Sequence, residues 1–317
     1  MTHRYRLVFL GSGAFACPSL DRLLHAGTDE VVAVVCQPDK PSGRNRRTTP
    51  CAVKSHLMNR NVRVLTPVDV NAPESVQLLR DLAAELFVVV SYGQILKPSV
   101  LAIPPAGCLN VHGSLLPRYR GAAPIPWAIA RGETVTGVTT MFVNEHMDAG
   151  DILGRHECPI RPDDTAATLH DRLAELGADL LMRTLDDLRQ GRARPEPQDP
   201  ALVSFAPKLK KSDGRLDWRL PARDLFNRIR AFQPWPGTFF EWPCGSGRTV
   251  AVLQAAAEPA SHGPQPGIIL MVDADGFLVQ TGDGALRVLQ VKPESRPSMS
   301  ASDFARGRGL QSGAQLG

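Results

Sequence analysis

The 317-residue chain is long enough for two domains at about 150 residues each. Hydrophobic residues make up 43% of it, which supports a buried core and argues against wholesale disorder. Apolar runs such as Leu86 to Val90 fall far short of the roughly 20 residues a membrane helix needs. No apolar leader precedes the first strand, so a cytoplasmic protein without a membrane partner is expected.

The net charge of +4 is uneven. From Lys208 onward there are 14 basic and 10 acidic residues, whereas residues 1–207 hold 22 of each. Within that neutral part, residues 40–54 hold Lys40, Arg44, Arg46, Arg47 and Lys54 and no acid. Two separated basic patches suit a polyanionic partner, although charge alone fits a solvated surface equally well. The cysteines at 17, 36, 51, 108, 158 and 244 form no Cys-x-x-Cys pair and read as plain buried thiols. No ligand cluster suggests a metal.

In chain order, residues 4–10 read as a buried strand and Gly11-Ser12-Gly13 as the turn after it. Leu20, Leu23 and Leu24 give a helix over Pro18 to Ala26. Val31 to Cys36 is a β-branched strand, Cys51 to Asn59 a helix, and Val62 to Leu65 a short strand. Pro73 opens another helix, as proline suits a first turn. Leu86 to Val90 and Cys108 to Val111 are further strands. Strands alternating with helices predict a parallel α/β sheet. Val135 to Val143 and Asp151 to Pro159 read as later strands, and Thr165 to Leu188 as the longest helix.

The periodicity then breaks. Gly191 to Ala206 contains Pro195, Pro197 and Pro200 and reads as a surface linker. Beyond Lys211 come one helix, Pro221 to Ala231, and about five short strands between Thr238 and Val291. These predict a small OB-like β-barrel. The expected organisation is a first domain over 1–190, a linker over 191–211, a barrel over 212–306 and a disordered Gly/Ser/Gln-rich tail over 307–317.

Three segments could carry chemistry. Gly11-Ser12-Gly13 has Ala16 in the third place of a dinucleotide fingerprint, and no acid closes the second strand, so a nicotinamide cofactor has little support. Asn110 and His112 are far more specific. Positions i and i+2 of a strand share a face, so an amide and an imidazole would project together at a strand's carboxyl end, where open α/β sheets bind ligands. Gly113 would let a ligand approach the backbone closely. Asp148 and Asp151 flank a glycine between two strands; they are either ordinary turn residues or carboxylates placed to orient His112.

Taken with Ser114-Leu115-Leu116-Pro117, Arg120-Gly121-Ala122-Ala123-Pro124-Ile125 and Asp148-Ala149-Gly150-Asp151, the Asn110-x-His112 pair resembles the folate-dependent formyltransferases. The likeness runs from about residue 5 to about residue 305. It is strongest to the bacterial branch acting on methionyl initiator tRNA. Gln37 to Arg44 resembles that branch's mobile basic loop, Pro207 to Lys211 its basic linker, and Arg230 to Gly237 the opening of its C-terminal domain. Gly11 to Phe15 and Asn144 to Met147 depart from the usual pattern and leave the catalytic positions intact.

The resemblance implies a Rossmann-like formyltransferase domain followed by an OB-like barrel, with 10-formyltetrahydrofolate as donor and methionyl initiator tRNA as acceptor. It also implies a folate pocket lined by Ser114, Leu115, Leu116 and Pro117. Transfer creates an oxyanion, for which Asn110 and His112 are the expected donors. Asp148 would hold the imidazole, favour its charged form and take the amine proton. Lys40, Arg44, Arg46, Arg47, Lys208, Lys210 and Lys211 would contact tRNA phosphates. A monomer suffices for all of this. An amino-sugar formyltransferase, a formyl-folate hydrolase and a non-catalytic RNA-binding protein are the rivals. The first two share the Asn110–His112–Asp148 trio and explain the basic patches less well.

Overall fold

The computed structural model describes residues 3–42, 47–259, 263 and 265–317. By their internal contacts these fall into two compact units. The first comprises Met1–Pro124, Val135–Pro159 and His170–Ala206, and the second Ile125–Thr134, Ile160–Leu169 and Pro207–Gly317.

The first unit opens with β1 (Arg6–Gly11), α1 (Cys17–Ala26) and β2 (Glu30–Val35). Pro18 sits in the first turn of α1, and Gly27 ends it in the left-handed region at φ 60°. A hairpin of β3 (Lys40–Ser42) and β4 (Arg47–Thr49) follows, then α2 (Ala52–His56), β5 (Val64–Leu65), α3 (Pro73–Asp81), β6 (Leu86–Val90), α4 (Pro98–Leu101) and β7 (Cys108–His112). After α5 (Pro124–Ala130) come β8 (Val135–Phe142), β9 (Ile152–Pro159) and the 24-residue α6 (Ala166–Arg189). The hairpin, α4 and α5 escaped the sequence reading because each is too short to develop a periodicity.

The strand order is β5-β2-β1-β6-β7-β8-β9. The first five strands are parallel, as expected. Strand β8 runs antiparallel to β7, and β9 antiparallel to β8, directions the sequence reading had left open. The 143–151 connection is too short for the crossover that a parallel pair requires. Strands β1 and β6 are buried along nearly their whole length, as a sheet covered on both faces demands. Helix α6 lies close on β7, since a Cβ at Gly177 would stand 2.9 Å from Val111 Cγ1.

The second unit holds α7 (Ala222–Ala231), β10 (Thr238–Glu241), β11 (Thr249–Glu258), β12 (Ile269–Val272), β13 (Phe277–Gln280), β14 (Ala285–Pro293), β15 (Met299–Ser300) and α8 (Ala301–Arg308). Five strands form one antiparallel path, β10-β11-β14-β13-β12, with β15 beside β14. Residues 125–134 and 160–169, read from sequence as part of the first domain, pack in this unit. Arg230 donates to the carbonyls of Arg161 (3.2 Å) and Asp164 (2.9 Å), and Trp127 meets Phe232 edge to face at 5.7 Å.

Residues 307–317 are not the disordered tail their composition suggested. Gly309 caps α8 in the left-handed region, Leu310 and Leu316 are buried, and the Glu241 amide donates to the Gly317 carbonyl at 2.8 Å. Two leucines with core positions outweigh a polar composition. Phe240 sits at the centre of this core, ring to ring with Trp218, Phe277 and Phe304. Phe240→Ala is expected to cost about 3–5 kcal/mol of stability. A urea titration followed by tryptophan fluorescence would record it, and an unchanged midpoint would show that this core is not needed.

Of the six free cysteines, Cys36, Cys108 and Cys158 are buried, Cys17 and Cys51 are half-buried, and Cys244 is exposed, which corrects the reading of all six as buried. Burial pushes the Cys108 thiol up to about 12.

Candidate active site

The candidate residues gather at the carboxyl edge of the first unit's sheet. Strand β7 pairs Asn110 with Met141 and His112 with Thr139 on β8. Asn110 and His112 therefore share a face near the strand's end. His112 is buried and Asn110 half-buried. Among the described residues the Asn110 amide has no hydrogen-bond partner, whereas both nitrogens of His112 face oxygen.

His112 Nε2 lies 3.0 Å from the Tyr119 carbonyl. A carbonyl only accepts, so Nε2 carries a proton and the ring presents Nδ1 to the site. Nδ1 lies 3.7 Å from Asp148 Oδ2. That gap is an ion-pair distance and longer than a direct hydrogen bond. Asp148 Oδ2 also accepts the Gly121 amide at 2.8 Å. Asp148 stands in the left-handed region, at φ 50°. Aspartate tolerates that conformation better than most residues.

The turn after β7 is locked from within. Ser114 Oγ donates to the Arg118 carbonyl at 2.7 Å, and Thr139 Oγ1 donates to the Ser114 carbonyl at 2.7 Å. Leu116 is buried with Met141 and Ile152, and its carbonyl accepts Arg155 Nε at 3.1 Å. The Leu116–Pro117 peptide is cis. Of the four residues assigned to folate, Ser114, Leu116 and Pro117 are thus buried in the turn, and Leu115 is half-buried against Gly137.

Sequence reasoning missed the contribution of residues 196–206. They are not a free surface linker. Glu196 pairs with Ile152, the Tyr119 amide donates to Ser204 Oγ at 2.9 Å, and Arg120 exchanges backbone hydrogen bonds with Ser204 and Ala206. Gln198 contacts both Arg120 and the loop carrying Asp148. Pro197 and Pro200, with Pro195 just before them, masked this segment, because its order comes from long-range bonds that leave no periodicity.

In the Gly11–Gly13 turn two backbone amides that a pyrophosphate would need are already engaged. The amides of Ser12 and Gly13 both donate to the Ser91 carbonyl at 3.1 Å. Among the described residues no three His, Cys, Asp or Glu side chains converge as a metal ion requires.

Of the basic residues, Lys40 is exposed on β3 and donates to Gln37 Oε1 at 3.0 Å. Arg47 belongs to β4, while Arg44 and Arg46 lie outside the described residues. Lys54 is neutralised by Asp39, at 2.7 and 2.8 Å. In the second unit Lys208, Lys210 and Lys211 are exposed, and no ion pair among the described residues engages them.

Two family models match the chain. Residues 5–185 match the formyl transferase model and residues 208–309 the formyl transferase C-terminal domain model. The chain belongs to the formyl transferase family. A methionyl-tRNA formyltransferase of Geobacter sulfurreducens is 44% identical to this formyl transferase, over 98% of this chain and 96% of the relative. One of Hydrogenovibrio crunogenus is 42% identical over the full length of both. Among solved structures, the HypX protein of Aquifex aeolicus in complex with tetrahydrofolic acid has a TM-score of 0.62 at 19% identity, covering 96% of this chain and 47% of that one. An N-formyltransferase of Helicobacter canadensis has a TM-score of 0.65 at 16% identity, covering 91% and 100%. At such identities these structures establish a shared formyl transferase fold.

Proposed function

We propose that this chain transfers the formyl group of 10-formyltetrahydrofolate to the amino group of methionyl initiator tRNA. The observation that carries the acceptor is its 42–45% identity, along nearly the whole chain, to relatives named methionyl-tRNA formyltransferase. The trio at the sheet edge supplies the chemistry. The folate lies at that edge, against the backbone of Ser114 to Pro117, whose side chains are largely turned to the protein's own turn.

The amine attacks the formyl carbon, forming the new C–N bond and placing negative charge on oxygen. Asn110 and the Nδ1–H of a charged His112 donate to that oxygen. Asp148 accepts the proton lost by the amine. His112 Nδ1 then gives its proton to the departing folate nitrogen as the old C–N bond breaks. The proton held on Asp148 returns to Nδ1 across the gap between them, which closes the cycle. Contacts of this kind tighten when substrates bind.

Lys40 on β3 and Arg47 on β4 contact tRNA phosphates together with Arg44 and Arg46, and Lys208, Lys210 and Lys211 do so from the second unit. About six phosphate contacts make affinity fall on the order of 1000-fold between roughly 50 and 200 mM salt. Replacing the three lysines with alanine is expected to weaken binding and flatten the log–log salt slope by roughly one unit per lysine. Filter binding of methionyl initiator tRNA over a salt series measures this. A slope unchanged in the triple variant would remove these lysines from the interface. The protein works in the cytoplasm, as a monomer.

A further inference from the structure

We propose that Gln198 is a positioning residue for formyl transfer, which holds Asp148 in its reactive placement from the backbone side. The proposal rests on the catalytic reading of Asp148.

Gln198 reaches inward from an exposed stretch, since Glu196, Pro197, Asp199 and Pro200 all face solvent. Its Nε2 donates to the Asp148 carbonyl at 2.9 Å and to the Gly150 carbonyl at 2.8 Å. Its Oε1 accepts Nε and Nη2 of Arg120 at 3.1 and 2.7 Å. Both donors and both acceptor sites of the amide are thus filled. The orientation is unambiguous, because a flipped amide would set oxygen against two carbonyls and N–H against a guanidinium.

These four bonds join the two loops that meet at Asp148. One is the Asp148–Gly150 turn. The other is the 117–121 loop, whose Gly121 amide holds Asp148 Oδ2 and whose Tyr119 carbonyl holds His112 Nε2. Asp148 is therefore fixed at both ends: its carboxylate by Gly121, and its carbonyl by Gln198. Its left-handed backbone, unfavourable for any residue with a Cβ, needs such support. A misplacement of about 1 Å at a reacting group can cost on the order of 100-fold in rate.

Gln198→Glu separates positioning from mere packing. It keeps the shape and strengthens the contact with Arg120, but it turns a carboxylate oxygen toward two carbonyls. Turnover is expected to fall roughly 10- to 100-fold, with KM for the folate within about twofold of wild type. Gln198→Ala should behave alike, and it covers the case in which the glutamate variant fails to fold. In an Asp148→Asn background the same changes at Gln198 should add little further loss, because both act through one group. Amide hydrogen exchange at Gly121 should quicken in the Gln198 variants while exchange in β1 stays slow. If Asp148→Asn is inactive but the Gln198 variants keep wild-type turnover, or if the two losses multiply in full, Gln198 has no positioning role. If Asp148→Asn itself keeps wild-type turnover, the catalytic reading beneath the proposal is wrong.

Discussion

Replacing His112 with alanine is expected to lower the turnover of formyl transfer at least 100-fold. Removing a single oxyanion donor from a tetrahedral intermediate costs on the order of 100- to 1000-fold, and His112 here also supplies the proton for the leaving nitrogen. Folate binding should change little, because the ring's other nitrogen is spent on the Tyr119 carbonyl rather than on a ligand. Asp148→Asn is the companion variant. Asparagine tolerates the left-handed backbone at this position, so the loop keeps its path and the loss can be assigned to the carboxylate. Single-turnover kinetics beside a folate-binding titration separate the two effects. Wild-type turnover in both His112→Ala and Asn110→Ala would defeat the oxyanion assignment.

Gly150→Ala is expected to damage the site as severely without removing any functional group. A Cβ at Gly150 would stand 1.8 Å from the Phe142 carbonyl oxygen and 2.8 Å from its carbon. Both are backbone atoms of β8, so no side chain can swing aside. The loop must move outward, carrying the Asp148 carboxylate from His112 and the Gly150 carbonyl from Gln198. Overpacking of this kind costs typically about 1–3 kcal/mol of stability, and the displaced carboxylate on the order of 100-fold in rate. Thermal unfolding and turnover, measured on one preparation, test both. An alanine variant with wild-type turnover would mean that the close approach of this loop to β8 is dispensable.

The sequence disclosed the site more fully than its scaffold. Asn110 and His112 were legible because a two-residue spacing on an apolar strand fixes their common face, and the structure places them there, at the sheet's carboxyl edge. That Asp148 approaches His112 was not legible, since α5, β8 and their connecting turns intervene. The resemblance suggested it, and Asp148 Oδ2 now stands 3.7 Å from the ring. Gln198 was invisible for a different reason. Its partners are backbone carbonyls and one guanidinium, reached from a proline-rich stretch without periodicity. The tail misled by composition, because burying Leu310 and Leu316 outweighs nine polar or small neighbours. The antiparallel turn at β8 could have been inferred from the length of the 143–151 connection alone.

The most direct test of the whole account is a formyl-transfer assay with the purified chain. It combines 10-formyltetrahydrofolate with methionyl initiator tRNA, and runs uncharged tRNA, free methionine and a nucleotide-linked amino sugar in parallel. Formylation of the charged initiator tRNA alone is the predicted result. Folate turned over without formylated tRNA would contradict it, and would move the acceptor to the amino sugar or to water.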